Sequence, residues 1–261
     1  MMSTVLASTP GDCCWTGVKH SGTAIGREEE LGGINTYISE PRSLPASAPA
    51  GNKKVILFLA DVYGPTYLNN KLIQDYFASF GFIVLGPDYF FGTAVPNQPP
   101  GFDMQLWVTG ARVRAIEAFP KWMESVRDRY GDTSDGTEYF AVGYCFGAPF
   151  VMDLAASNDI RAGAIAHPAF LDEAHFEKLK QPLLLSCPEE DHTFPLCSRR
   201  RAEDIMLAKT AESRPQFYIQ VFSGVRHGFA VRGDPHIPHQ RWAKEECARG
   251  VKDFFTWFSG V

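Results

Sequence analysis

The chain has 261 residues, 45% of them hydrophobic, and a formal net charge of -5. That length suits one large α/β domain burying about three quarters of its unfolded surface. The acidic balance argues against nucleic acid or an anionic membrane as the main partner, since both need a concentrated basic surface. No run of about 18 apolar residues is present to cross a bilayer.

Met1 to Trp15 lacks both a basic n-region and a continuous apolar h-region, so a cytoplasmic location is expected. Six cysteines, at 13, 14, 145, 187, 197 and 247, are too scattered for a disulfide scaffold, and reduced thiols are expected. Cys13 and Cys14 with His20 make a poor zinc site, because adjacent cysteines pair awkwardly and no fourth ligand follows at suitable spacing. The expected organisation is a segment of residues 1–32 packed on a domain of residues 33–261.

In chain order, Gly33 to Ser39 alternates like a half-buried strand, and Ser43 to Asn52 is a Pro/Ala/Ser/Gly-rich loop. Lys54 to Ala60 is a continuous apolar run, the mark of a strand buried on both faces. Leu72, Ile73, Tyr76, Phe77 and Phe80 then recur at helical spacing, and Phe82 to Leu85 makes the next strand, closed by Gly86-Pro87-Asp88. An aromatic loop from Tyr89 to Phe102 leads to a helix of about 25 residues, expected to break or kink at Pro120.

Strands are expected at Thr137 to Val142, Ala162 to Ala166, Leu183 to Cys187 and Phe217 to Phe222. Helices are expected over Phe150 to Ala156, Cys197 to Thr210 and His239 to Phe258, the last with Val251, Phe254, Phe255 and Phe258 on a core-facing stripe. Alternating buried strands and helices mean a mostly parallel sheet with helices on both faces. Ligands gather at the strand C-terminal ends of such sheets, where Asp61, Asp88, Cys145, His167, Asp191 and His227 all fall.

Gly143-Tyr144-Cys145-Phe146-Gly147 is a nucleophile elbow with cysteine at its centre, set between a strand and a helix. The helix N-terminus beneath it favours thiolate. Asp191 follows the Leu183 strand and His227 follows the Phe217 strand, so the chain order is nucleophile, acid, histidine. In that constellation His227 takes the thiol proton and later activates water, while Asp191 fixes the imidazole tautomer. Asp88 reads as a turn carboxylate and His192 as a loop residue. His167, ahead of Pro168, reads equally as a pocket wall or a structural histidine.

These residues resemble the dienelactone hydrolase family: Asp61-Val62-Tyr63-Gly64, Gly86-Pro87-Asp88-Tyr89, the cysteine elbow, Glu190-Asp191-His192 and His227-Gly228-Phe229, in order from about Gly33 to the end. The resemblance implies a single-domain α/β-hydrolase fold without a separate cap domain and a Cys-His-Asp triad of Cys145, His227 and Asp191. It implies hydrolysis of a lactone or activated enol or aryl ester through a cysteinyl thioester, with no metal or organic cofactor. Val62 and Phe146 N–H groups would form the oxyanion hole. Asp61 stands where the family has a thiol-gating glutamate, one methylene longer.

No Lys or Arg occurs between Lys71 and Arg112, leaving Arg232 as the nearby cation. Tyr63, Phe91, Trp107, His167 and Arg232 are the expected substrate contacts, with aromatic walls suited to a neutral substrate. The partner is a small lactone or ester, and the protein is a monomer or small homo-oligomer. Two rival functions share the scaffold: a thioesterase or ring-opening hydrolase of polyketide metabolism, and a non-catalytic lactone-binding protein.

Overall fold

The computed structural model describes residues 3–11, 17–41 and 53–260. Cys13 and Cys14 lie outside the described residues. In chain order the elements are β1 (Val5–Ala7), β2 (Arg27–Leu31), β3 (Ile34–Ser39), β4 (Lys54–Leu59), α1 (Leu68–Ala78), β5 (Ile83–Pro87), α2 (Met104–Tyr130), β6 (Glu138–Tyr144) and α3 (Ala148–Ala155). They continue with β7 (Ala162–Ala166), β8 (Leu171–Asp172), α4 (Glu173–Glu177), β9 (Leu183–Glu190), α5 (Leu196–Leu207), β10 (Phe217–Arg226), α6 (Phe229–Arg232) and α7 (Pro238–Phe258). By contacts the chain divides into two compact units, residues 21–139 and residues 1–20 with 140–261.

In residues 21–139 the strand order is β4-β5-β3-β2. β4 and β5 are parallel, while β3 pairs antiparallel with both β5 and β2. β4 is apolar without alternation, and all of Val55 to Leu59 is buried. β3 departs from the half-buried expectation: Asn35 is its exposed position, and the rest is buried. Strand β2 carries Arg-Glu-Glu-Glu and gives no hydrophobic alternation, so the sequence reading passed over it. It falls within the 1–32 segment and pairs with β3 from Arg27↔Ile38 to Leu31↔Ile34. The 32/33 boundary therefore sits inside a two-residue hairpin turn, where Gly32 and Gly33 take φ of 59° and 86°.

Helix α2 runs unbroken through Pro120 from the Asp103 cap, whose side chain accepts from Leu106 N. Of the two outcomes expected at Pro120, the break does not occur. Trp122, two residues past that proline, is fully buried and donates from Nε1 to Thr36 Oγ1 at 2.9 Å, tying α2 to β3.

The other unit has the strand order β10-β9-β7-β6, parallel throughout. Small residues in β7 let α3 approach, and a Cβ on Gly163 would lie 2.9 Å from Val151 Cγ1. Both β9 and β10 run past their apolar stretches, to Glu190 and Arg226, which pair across the ladder and form an ion pair at 2.9 Å. Gly224, at φ 66°, sits in the register shift that precedes Arg226.

The buried stripe of α7 is Ala243, Cys247, Val251 and Phe255, spaced every four residues. Phe254 and Phe258 are only partly covered and stack edge-on with each other at 4.9 Å, so the expected four-residue stripe is half correct. Cys247 is fully buried, and burial pushes its thiol up to about 12. The short elements that were not anticipated include two strands, β1 and β8, which pair antiparallel. Neither has enough residues for a periodic signal.

Candidate active site

Cys145 follows β6 directly, at φ 48°, and α3 begins three residues later with Pro149 in its first turn. A non-glycine residue in the left-handed region is strained, and the neighbouring backbone enforces it. A Cβ on Gly143 would lie 2.7 Å from both Gly147 O and Val151 Cγ2, so the turn closes only with glycine there. Cys145 O accepts from Ala169 N at 3.1 Å, joining the elbow to the loop after β7. The residue is fully buried.

Asp191 and His227 follow the adjacent parallel strands β9 and β10. His227 Nδ1 lies 2.9 Å from Asp191 Oδ1, and both side chains are 2% exposed. The same carboxylate oxygen accepts from Thr193 N at 2.9 Å and Phe194 N at 3.2 Å, an Asx-type turn that aims it. Burial pushes the Asp191 carboxyl up, but the His227 charge and hydrogen bond, the Thr193 hydroxyl and the His167 charge together outweigh it and hold the carboxyl below its ordinary value. The pair is thus an ionised acid orienting a histidine.

His167 is buried at φ 37°, with its ring centroid 4.9 Å from that of His227 and 5.8 Å from Phe229. His192 is exposed, yet its ring lies 4.8 Å from the His227 centroid, so this loop histidine flanks the pair after all. Asp191, His192 and His227 offer ligand atoms within 4.8 Å of one another. Asp191 Oδ1 is engaged by the imidazole and two backbone N–H groups.

Arg232 is buried in α6, with its guanidinium packed against Gly228, the residue after His227. Gly228 needs its φ of 89° for the turn from β10 into α6. A cavity of about 520 Å³ is lined by His227, Gly228, Phe229, Arg232, Asp234 and Gln240 among others. Phe146 is buried with its ring edge-on to Phe170 at 5.8 Å.

In residues 21–139, Asp61 lies just beyond β4, buried, with Oδ1 accepting from Asn70 Nδ2 at 3.1 Å and from Tyr63 N at 3.2 Å. Val62 is buried and its carbonyl accepts from Val95 N at 2.9 Å. The Tyr63 ring meets Tyr67 edge-on at 4.9 Å. Phe91 is 45% exposed, at φ 53°. Trp107 stacks on Phe90 at 5.4 Å and donates from Nε1 to Thr93 O at 2.7 Å. Asp88 accepts from Gly92 N at 2.8 Å and Phe90 N at 3.3 Å, a turn carboxylate as expected.

Thr193 was not among the residues expected at the site. Its hydroxyl stands 2.7 Å from Asp191 Oδ1 and 3.0 Å from His227 Nδ1. The Asp-x-Thr spacing of an Asx turn was the available signal.

The model of the dienelactone hydrolase family matches residues 36–259. The chain belongs to the dienelactone hydrolase family. It is therefore a hydrolase of lactones or esters on the α/β-hydrolase fold. As a dienelactone hydrolase family member it is 35% identical to "Dienlactone hydrolase 1" of Gibberella moniliformis, over 97% of this chain and 94% of that protein. It is 33% identical to "Hydrolase tropI" of Talaromyces stipitatus, over 96% of this chain and 98% of that one. Among solved structures, a dienelactone hydrolase-like phosphotriesterase, P91, from metagenomic libraries superposes with a TM-score of 0.65 at 15% identity, over 90% of this chain and 99% of that one, a likeness of fold. No helix among the described residues is long and apolar enough to cross a membrane.

Proposed function

We propose that Cys145, His227 and Asp191 form a catalytic triad that opens a lactone or an activated enol or aryl ester through a cysteinyl thioester. The observation that carries this reading is the buried, hydrogen-bonded Asp191–His227 pair at the ends of two adjacent parallel strands, in the same unit as a strained cysteine elbow. His227 Nε2 takes the thiol proton, and Cys145 Sγ bonds to the substrate carbonyl carbon. The tetrahedral intermediate collapses by expelling an enolate or phenolate, which departs without strong acid help and then takes the proton held on His227, returning the imidazole to its basic form. Water, deprotonated by His227, then attacks the thioester and releases the acid and the thiol.

Phe146 N–H, one residue past the nucleophile, is the oxyanion donor on the elbow. Val62 N–H and Asp61 keep the roles that the family resemblance gives them, second donor and thiol gate. The enzyme acts in the cytoplasm without a cofactor on this reading.

Cys145→Ala is expected to abolish turnover of an activated aryl ester, and mass spectrometry of the quenched wild-type enzyme should find the acyl group on the Cys145 peptide. Turnover by Cys145→Ala at the wild-type rate would refute the mechanism. A substrate carboxylate is a second reading for specificity, because Arg232 lines the same cavity as His227. The same assay run with neutral and carboxylated lactones decides between the aromatic-wall reading and this one.

A further inference from the structure

Thr193 sits where three polar atoms converge. Its Oγ1 is 2.7 Å from Asp191 Oδ1, 2.8 Å from Pro168 O and 3.0 Å from His227 Nδ1, and the residue is 1% exposed. A hydroxyl has one proton and two acceptor lone pairs. Asp191 Oδ1 and Pro168 O can only accept, so the hydroxyl proton serves one of them. In both arrangements a lone pair remains for the proton on Nδ1, which the tautomer with a basic Nε2 requires.

The histidine proton therefore meets two acceptors, Asp191 Oδ1 at 2.9 Å and Thr193 Oγ1 at 3.0 Å. One acceptor leaves an imidazole able to pivot about the hydrogen-bond axis. Two acceptors on different side chains define the plane of the ring.

The hydroxyl is itself held from outside the pair. Thr193 O accepts from Ser8 N at 2.8 Å, and Ser8 O accepts from Phe170 N at 3.0 Å. Strand β1 continues this lacing through Val5↔Asp172 and Ala7↔Leu171. The loop carrying Asp191 and Thr193 and the loop carrying His167 and Pro168 are thus stitched twice, by Ser8 through the backbone and by Thr193 through its side chain. The titratable or charged groups around His227 are Asp191, His192, His167, Arg226, Arg232, Asp234 and, in the proposed triad, Cys145; Thr193 stands beside Asp191 at hydrogen-bond distance from Nδ1.

We propose that Thr193 is a positioning residue for the general base: its hydroxyl oxygen is the second acceptor of a three-centre hydrogen bond from His227 Nδ1–H, fixing both the tautomer and the tilt of the ring. This rests on the triad reading above and adds to it a residue that does not touch the substrate. Removing the hydroxyl takes a donor from Asp191 as well as an acceptor from the imidazolium, but Asp191 retains the Thr193 and Phe194 N–H donors, so the larger effect falls on the imidazolium.

The test compares Thr193→Val, which keeps shape and burial, with Thr193→Ser, which keeps the hydroxyl, in the full chain and with folding checked by circular dichroism and thermal melting. For Thr193→Val, kcat on an activated aryl ester should fall on the order of tenfold, the scale of one net hydrogen bond, with KM little changed. The midpoint of the acidic limb of kcat/KM should move to lower pH, and Thr193→Ser should restore both kcat and the midpoint. Wild-type kcat in Thr193→Val overturns the proposal. So does a loss of kcat with an unmoved midpoint, which marks a merely structural threonine, or a serine variant as impaired as the valine one. His227→Ala is run beside them: if it turns over like wild type the triad reading has failed, whereas an inactive His227→Ala with a wild-type Thr193→Val sinks only the role of Thr193.

Discussion

Asp191 and Asp88 each stand one residue past a core strand, each is buried, and each accepts two backbone N–H bonds from the loop that follows. Their carboxyls nevertheless titrate in opposite directions. Burial raises the Asp88 carboxyl, and the Gly92 and Phe90 amides do not compensate. At Asp191 burial also pushes upward, but an imidazole and a hydroxyl reverse the sign. Strand-end position and amide donors therefore make a turn. A positively charged partner in hydrogen-bond contact makes an acid that can orient a base.

The comparison breaks most readily in turnover. Asp191→Asn should keep the Asx turn and lower kcat by about 10²–10⁴-fold, since the amide favours the wrong imidazole tautomer. Asp88→Asn should leave kcat on the same aryl ester within about threefold, as expected for a carboxylate that touches no reacting group. Equal losses in the two variants, measured by steady-state kinetics, would dissolve the distinction.

A smaller effect sharpens it. The folded value of Asp191 lies below the unfolded one of about 3.9. Its ionised form therefore contributes stability above that pH, and the contribution is lost as pH falls through the folded value. The folded value of Asp88 lies above its unfolded one, so its contribution is present when protonated and is lost as pH rises through the folded value. Calorimetric Tm should show wild type losing its advantage over Asp191→Asn on acidification below about pH 4. Asp88→Asn should gain on wild type as the pH is raised toward neutral.

The strands β4, β6 and β7 were legible because continuous apolar runs bounded by turn residues leave few alternatives. The elbow was legible because its glycines answer to a steric demand, visible at Gly143 and at the φ of Cys145. Strand β2 was hidden because its side chains follow solvent exposure and the pairing is made by backbone. The tails of β9 and β10 were hidden for the same reason, since Glu190 and Arg226 carry no apolar signal.

At the site, sequence order supplied Cys145, Asp191 and His227, because each closes a readable strand. Thr193 escaped, since its importance lies in a contact 34 residues away along the chain. The burial of Cys145 and the approach of His192 to His227 are likewise products of packing between loops, which no local pattern records.

The acidic strand β2 has a consequence for the protein in concentrated solution. It ends its strand order, pairing with β3 alone, and an outer strand is a template for adding another chain. Three successive glutamates there repel such an addition. Partial burial pushes the Glu28 carboxyl up, but Lys71 and Asn35 bring it below its ordinary value, and Arg129 does the same for Glu29. At Glu28 and Glu29 the guard against strand-by-strand aggregation thus stays charged to lower pH than an ordinary carboxylate would.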